Sequence, residues 1–232
     1  MRCLRSAAWA DEIVVVDSGS SDKTLEIARS FTDRIYFKEF SDYSSQKNFA
    51  LSKAAGDWAL SLDADEEISS ALQAEILGVM SGADSAEGYQ IPRRSYIFGR
   101  QFRFTGTAED RPVRLFKKGR GEFVQPIHER LAIRGRVGQL HSPLMHYTYP
   151  SVHDHVDRLN RYTSMEADHF IAGKKKFTKF QVTFKPILMF LRLYFLKQGW
   201  RDGIEGFLFS ALSAYYVFVK HMKHFEKMRT GL

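Results

Sequence analysis

The chain has 232 residues, 44% of them hydrophobic, enough for one large domain with a real core and a small appendage. A single cysteine, Cys3, excludes a disulfide framework and suits a reducing compartment. The net charge of +7 is unevenly placed: residues 1–150 carry 20 Lys+Arg and 20 Asp+Glu, whereas residues 151–232 carry 14 and 7.

The opening "MRCLRSAAWADE" holds no long apolar stretch, so no signal peptide is expected. "EIVVVDSGSSDKTLEIARSF" reads as a buried strand, a loop and a helix. The β-branched run Ile13–Val16 is of the kind found in sheets covered on both faces. Asp22 is a helix N-cap candidate. "RIYFKEF" is a second short strand, and "SSQKNFALSKAAGDW" a helix that Gly56 would close. "WALSLDAD" is a third strand, after which Ser69 or Ser70 caps a helix with Leu72, Ile76, Leu77 and Met80 on one face. This alternation predicts an α/β fold with a mostly parallel sheet flanked by helices. After residue 88 short strands and turns rich in Gly and Arg follow, and from Val152 the chain reads helical. A boundary near residue 150 therefore divides a catalytic-type domain, 1–150, from a basic helical segment, 151–232.

In an open parallel sheet, ligands bind beyond the carboxyl ends of the strands. Asp17 follows "IVVV", and Asp63 follows "WALSL", with Asp65 two residues on. Two carboxylates at that spacing suit a hard cation such as Mg2+ or Mn2+, which keeps positions open for phosphate oxygens. The metal reading takes Asp63 and Asp65 as ligands; the plain alternative is an acidic turn that starts the next helix.

The motifs in their order resemble the family-2 glycosyltransferases, which have the nucleotide-sugar-binding fold called GT-A. "EIVVVDSGSSDKT" looks like their second strand and its loop. "SSQKNFALSKAAGDWALSLDADEEIS" looks like their helix, strand and Asp-x-Asp motif, and "DRPVRLFKKG" like a later strand. "QPIHERL" and "HYTYPSVHDHVDRLNRYTSMEA" resemble the branch that includes lipopolysaccharide-core sugar transferases. The likeness runs over roughly residues 4 to 225.

That resemblance implies roles. Asp17 would contact the base or ribose of a nucleotide-sugar donor, and Lys47 would lie near its phosphates. Asp63 would sit near ribose and metal, and Asp65 would hold the metal on the diphosphate. Members mostly invert, which calls for a carboxylate base; Glu129 is placed first and Asp110 second. Arg114 matches phosphate oxygens, with Glu122 as an alternative partner, and His128 and His146 are further metal candidates. The resemblance also implies an earlier strand that is absent here, since Met1 falls within the helix that would follow it.

The basic last third joins two apolar runs, "PILMFLRLYFL" and "FLFSALSAYYVFV", each too short to span a bilayer. Lysines flank both, which fits an in-plane helix on a membrane surface rather than nucleic acid; the plain alternative is ordinary core helices against the sheet or a dimer interface. The expected setting is thus cytoplasmic, peripheral to the inner face of the cytoplasmic membrane. The expected acceptor is a lipid-linked or lipopolysaccharide-core saccharide. Two other classes are weighed. One is a truncated, inactive membrane-surface module. The other is an aspartate-nucleophile phosphatase, which an apolar strand followed by Asp-x-Asp also suggests.

Overall fold

A computed structural model describes residues 1–82, 86–125 and 129–231. The chain forms two compact units, Met1–Arg93 with Glu109–His146, and Arg94–Ala108 with Tyr147–Leu232. The second unit thus takes in a stretch that lies well before the boundary read near residue 150.

In chain order the first ninety residues give α1 (Arg2–Ser6), β1 (Val15–Asp17), α2 (Thr24–Arg29), β2 (Ile35–Phe37), α3 (Tyr43–Lys53), β3 (Trp58–Leu60), β4 (Glu66–Ile68), α4 (Ser70–Ser81) and β5 (Gly88–Gln90). There follow β6 (Arg93–Ile97), β7 (Arg100–Gln101), β8 (Val113–Lys117), β9 (Gly121–Val124), β10 (Arg130–Ile133), β11 (Val137–Gln139) and β12 (Leu144–Tyr149). The remainder is α5 (Val152–Ala172), α6 (Lys179–Thr183), α7 (Lys185–Leu191), a π-turn over Arg192–Leu196, a 3-10 turn over Gly199–Asp202, and α8 (Gly203–Thr230).

Caps explain several of the helix starts. Asp42 accepts from the Ser45 amide to start α3, and Ser69 accepts from the Leu72 amide to start α4. Asp22 binds the Thr24 amide from one residue outside its expected place, because Lys23 occupies the N-cap of α2. Helix α3 ends at Lys53, ahead of the expected stop at Gly56; Ala54 is already extended.

The sheet corrects the mostly parallel expectation. β1–β2 and β11–β5 are parallel, but β8 runs antiparallel between β3 and β5. β9–β10, β6–β7 and β4 with the start of β12 are antiparallel as well. The physical reason lies in the connections. Helix-linked crossovers stop after α4, and the Arg-rich stretch then folds back through tight turns, with β11–β5 the one later parallel pair among the described residues. Apolar periodicity reports which residues are buried, not the direction of a strand's partner.

The core of the first unit gathers Leu72 and Ile76 of α4, Ile68 of β4, Leu115 of β8, and Leu140 and Leu144. A smaller cluster, Phe116, Phe123 and Leu131, lies beneath α3 with Leu51 packed on it. β1 and β3 belong to separate sheets, and each has a strand partner on one edge only among the described residues. A cavity of about 470 Å³ lies between them, lined by Val14, Val16, Ile27, Trp58, Leu60 and others.

The second unit is built on the packing of α5 against α8. Glu166 accepts from Tyr216 Oη at 2.6 Å and from Lys220 Nζ at 2.8 Å. Lys223 Nζ donates to the Asn160 carbonyl and side chain, both at 2.7 Å, and to Thr163 and Ser164. Asp202, buried at the start of α8, accepts from the amides of Arg103 and Phe104. No helix among the described residues is long and apolar enough to cross a membrane.

Candidate active site

The site is assembled at the end of β3, where the chain turns sharply into β4. Glu66 donates its amide to the Asp63 carbonyl at 2.9 Å, and the Asp63 amide donates back to Glu66 Oε2 at 2.9 Å. This double closure fixes both carboxylates. In β4 the alternation of a strand turns Glu66 and Ile68 inward and Glu67 outward, toward Arg2. Glu66 is 1% exposed. A buried carboxylate demands cationic partners.

Those partners are arginines. Arg114, on β8 and 5% exposed, reaches Asp63 Oδ2 at 2.5 Å and Glu66 Oε1 at 2.6 Å through the same nitrogen. Its Nε is buried without a hydrogen-bond partner. Arg93 lies 3.4 Å from Glu66 Oε1 and donates through Nε to Asp110 Oδ2 at 2.7 Å. On the other side, Lys47 of α3 is 2.8 Å from Asp63 Oδ1 and 2.6 Å from Glu129 Oε1. Its ammonium also lies over the Phe123 ring.

The result is an unbroken line of alternating charge: Glu129, Lys47, Asp63, Arg114, Glu66, Arg93, Asp110. The two base candidates stand at its ends. Each keeps one carboxylate oxygen, Oε2 of Glu129 and Oδ1 of Asp110, without a hydrogen bond among the described residues.

The electrostatics follow from burial and charge. Burial alone would raise the Asp63 pKa, but Arg114 and Lys47 outweigh it and hold the group well below the ordinary carboxylate range. Burial lowers that of Arg114, yet Asp63 and Glu66 together push it upward. Cys3 donates its thiol to the Asp63 carbonyl at 3.5 Å. Burial, then Glu66 and Asp63, push that thiol up to about 11, so it stays protonated beside the carboxylates.

The other expected residues are placed as follows. Asp17 ends β1 and spends its carboxylate on its own loop: Oδ2 accepts from the amides of Gly19 at 2.8 Å and Ser20 at 3.0 Å, Oδ1 from the Ser20 hydroxyl at 2.5 Å. The Ser20 hydroxyl bond, opposed by burial and aided by the two amides, lowers its pKa. That loop is joined to α3 beside Lys47, since Gln46 donates to the Ser18 hydroxyl at 2.7 Å. Arg114 pairs with Asp63 and Glu66; Glu122 lies instead 3.9 Å from Arg134. His146 lies 3.5 Å from Asp65 Oδ1, and His128 is outside the described residues.

A divalent cation needs several oxygen donors. Both Asp63 oxygens are engaged by cations, and the Asp65 carboxylate has His146 beside it. Among the described residues no three metal-ligating side chains cluster. Such a pair fits a cation that takes its remaining ligands from a diphosphate and water, and does not fit one held by protein alone.

Glu66 and Arg93 were missed in the sequence reading. Glu66 was absorbed in an acidic run, although its spacing from Ile68 marks it as inward-facing. Arg93 had no signal at all, because only the pairing of β4 with β12 and the return of β8 make it an inner residue.

Two cations and several carboxylates converging at the end of a strand, behind a turn bearing a further carboxylate, make a setting for a phosphorylated ligand. The model of Glycosyl transferase family 2 matches residues 2–139, and the chain belongs to that family. Over 234 residues it is 30% identical to the lipopolysaccharide core biosynthesis glycosyltransferase LpsC of Rhizobium meliloti, covering 97% of this chain and 87% of that one. It is also 30% identical over 225 residues to an uncharacterized glycosyltransferase of Rickettsia typhi, covering 92% and 77%. A crystal structure of S. aureus TarS 1-349 superposes with a TM-score of 0.47 at 14% identity. The protein is a glycosyltransferase with a GT-A-like α/β fold.

Proposed function

We propose that the chain moves a sugar from a nucleoside-diphosphate donor, a UDP-sugar, to a saccharide acceptor with inversion at the anomeric carbon. The acceptor belongs to lipopolysaccharide core or a related cell-envelope glycan, on a lipid-linked chain at the inner face of the cytoplasmic membrane. The likeness to the Rhizobium lipopolysaccharide core biosynthesis glycosyltransferase supports the pathway. The observation that carries the chemistry is the convergence of Lys47, Arg114 and Glu129 on and around Asp63.

In this reading the Asp17 loop takes the nucleoside, and Asp63 orients Lys47 and Arg114 toward the diphosphate. Asp65, with His146 behind it, would hold Mg2+ or Mn2+. A cation held there would neutralise diphosphate charge and so ease departure of the nucleoside diphosphate. Glu129 takes the proton of the acceptor hydroxyl through its remaining oxygen. The freed oxygen bonds to the anomeric carbon as the bond from that carbon to the phosphate oxygen breaks. The electron pair leaves with the nucleoside diphosphate, whose charge Lys47 and Arg114 meet. Asp110 is the second candidate for the base, at the far end of the same line of charges.

Calorimetry with a panel of nucleoside diphosphates, with and without Mn2+, tests this. Metal-dependent UDP binding that Asp65→Ala abolishes is the expected result. Phosphate release from simple phosphomonoesters without any sugar transfer would overturn the reading in favour of an aspartate-nucleophile phosphatase.

A further inference from the structure

The second unit turns one hydrophobic stripe outward. From α6 through the π-turn, Phe180, Phe184, Ile187, Leu188, Leu191 and Phe195 recur at helical spacing. Each is exposed by between 42% and 56%. Leu196 and Ile204 are exposed by 78% and 72%. The opposite face of α7 and the π-turn is apolar too: the Phe190 and Tyr194 rings pack on Phe207 of α8 with centroids 5.7 Å away. A helix that is apolar all round belongs in a core or in lipid. Here one side has its protein partner, and the other has none among the described residues.

The charge around the stripe identifies what covers it. Between Asp168 and Asp202 the sequence holds six lysines, two arginines and no carboxylate. Lys174, Lys175, Lys176, Lys179, Lys185 and Arg192 are all exposed. A second copy of this chain would bring the same cations face to face, where like charges repel. An anionic bilayer offers hydrocarbon to the stripe and phosphate to the lysines at once.

We propose that α6, α7 and the π-turn form an in-plane membrane anchor, with the stripe in the acyl boundary and the lysines among anionic lipid headgroups. This deepens the membrane-facing part of the proposed function and depends on no step of the sugar transfer. The two readings fail separately, because vesicle binding is measured without donor or acceptor.

The test is co-sedimentation of the full chain with vesicles of phosphatidylcholine alone and of phosphatidylcholine mixed with phosphatidylglycerol. Binding to the mixed vesicles that weakens with salt is expected. Ile187→Glu combined with Leu191→Glu should abolish it. Lys174→Gln, Lys175→Gln and Lys176→Gln together should weaken it roughly tenfold or more. All five positions are exposed, and circular dichroism checks that each variant is folded. Wild-type protein that stays in the supernatant with both vesicle types would overturn the proposal, as would unchanged binding by both variants. Concentration-dependent dimers, seen by sedimentation equilibrium and lost in the Ile187→Glu/Leu191→Glu protein without any vesicle binding, would assign the stripe to a second copy instead.

Discussion

The two units place their polar and apolar groups in opposite ways. The first buries Glu66 and Arg114 in a line of seven alternating charges. The second leaves a continuous stripe of Phe, Ile and Leu open and buries, beside Glu166 and Asp202, three histidines, His155, His221 and His224. Each arrangement costs stability. Taking ions out of water carries a desolvation penalty of several kcal/mol per ion that Coulomb attraction repays only with good geometry. Exposed hydrocarbon forfeits about 25 cal/mol for every Å² left in water. Costs of this kind concentrate where a protein does its work. On the proposals made above, that is a charged ligand site in the first unit and a surface for lipid in the second.

The largest effect expected from breaking this contrast is on turnover. Glu129→Gln keeps the side chain's size and its contact with Lys47 but cannot accept the acceptor's proton. Release of nucleoside diphosphate should fall by about 10²–10⁴-fold, the usual worth of a general base. Thermal unfolding should change little, because the site keeps its other pairs. If Asp110→Asn produces that loss and Glu129→Gln does not, the base stands at the other end of the line.

Next comes stability. Arg114→Ala leaves buried Glu66 with Arg93, at 3.4 Å, as its one cationic partner among the described residues, and removes a cation from Asp63. Breaking a buried pair from one side costs about 3–5 kcal/mol, read by urea unfolding. Removing both partners of the buried pair, as in Arg114→Met with Glu66→Leu, should cost much less, because no buried charge is then left alone. A double variant as unstable as the single one would show that the line holds the turn by geometry rather than by charge balance.

The units should also separate by pH. His155 is pushed down to about 4, by burial and then Arg158; His221 is pushed down to about 4, by burial and then Lys220 and Lys185. In the folded second unit both stay neutral below 6.5, where the unfolded chain takes up protons. Their contribution is therefore whole above about pH 6.5 and lost as pH falls toward 4, on the order of 1–3 kcal/mol together. The depressed carboxylates of the first unit, Asp17, Asp63 and Glu75, act the other side of that window. Their stabilisation is present above the ordinary carboxylate range and lost only below it. Melting followed between pH 7 and pH 4.5 should thus weaken the second unit first, and His155→Phe should flatten that slope.

Much of this is legible in the sequence. Strand, loop and helix up to residue 80 could be read because burial period and capping residues are local: Ser69 and Asp42 need only the amides three residues on. Asp63, Lys47, Arg114 and Glu129 were singled out, and the structure brings all four together. What was not legible is non-local. No spacing told that β8 enters antiparallel between β3 and β5, and it is this strand that carries Arg114 to Asp63. Nor does composition say which face of an apolar run is outward. "PILMFLRLYFL" holds both the face on Phe207 and the open stripe, and only the packing of α7 on α8 separates them.

The smallest effect sharpens the comparison from the surface. Glu122 and Arg134 form an ion pair at 3.9 Å, with side chains 64% and 80% exposed. In sequence Glu122 was as fair a partner for Arg114 as any carboxylate, yet the burial of Glu66 makes the difference. A solvated carboxylate gains little from a cation, while one sealed in a core must have it. Glu122→Ala should therefore change unfolding free energy by less than about 1 kcal/mol, a value that shrinks further in salt. Glu66→Ala, on the same measurement, should cost several times as much and respond weakly to salt, because its partners Arg114 and Arg93 are shielded from ions in solution. Equal costs for the two variants would mean that the inner line of charges is as wet as the surface pair, and that its alternation contributes nothing beyond ordinary surface pairing.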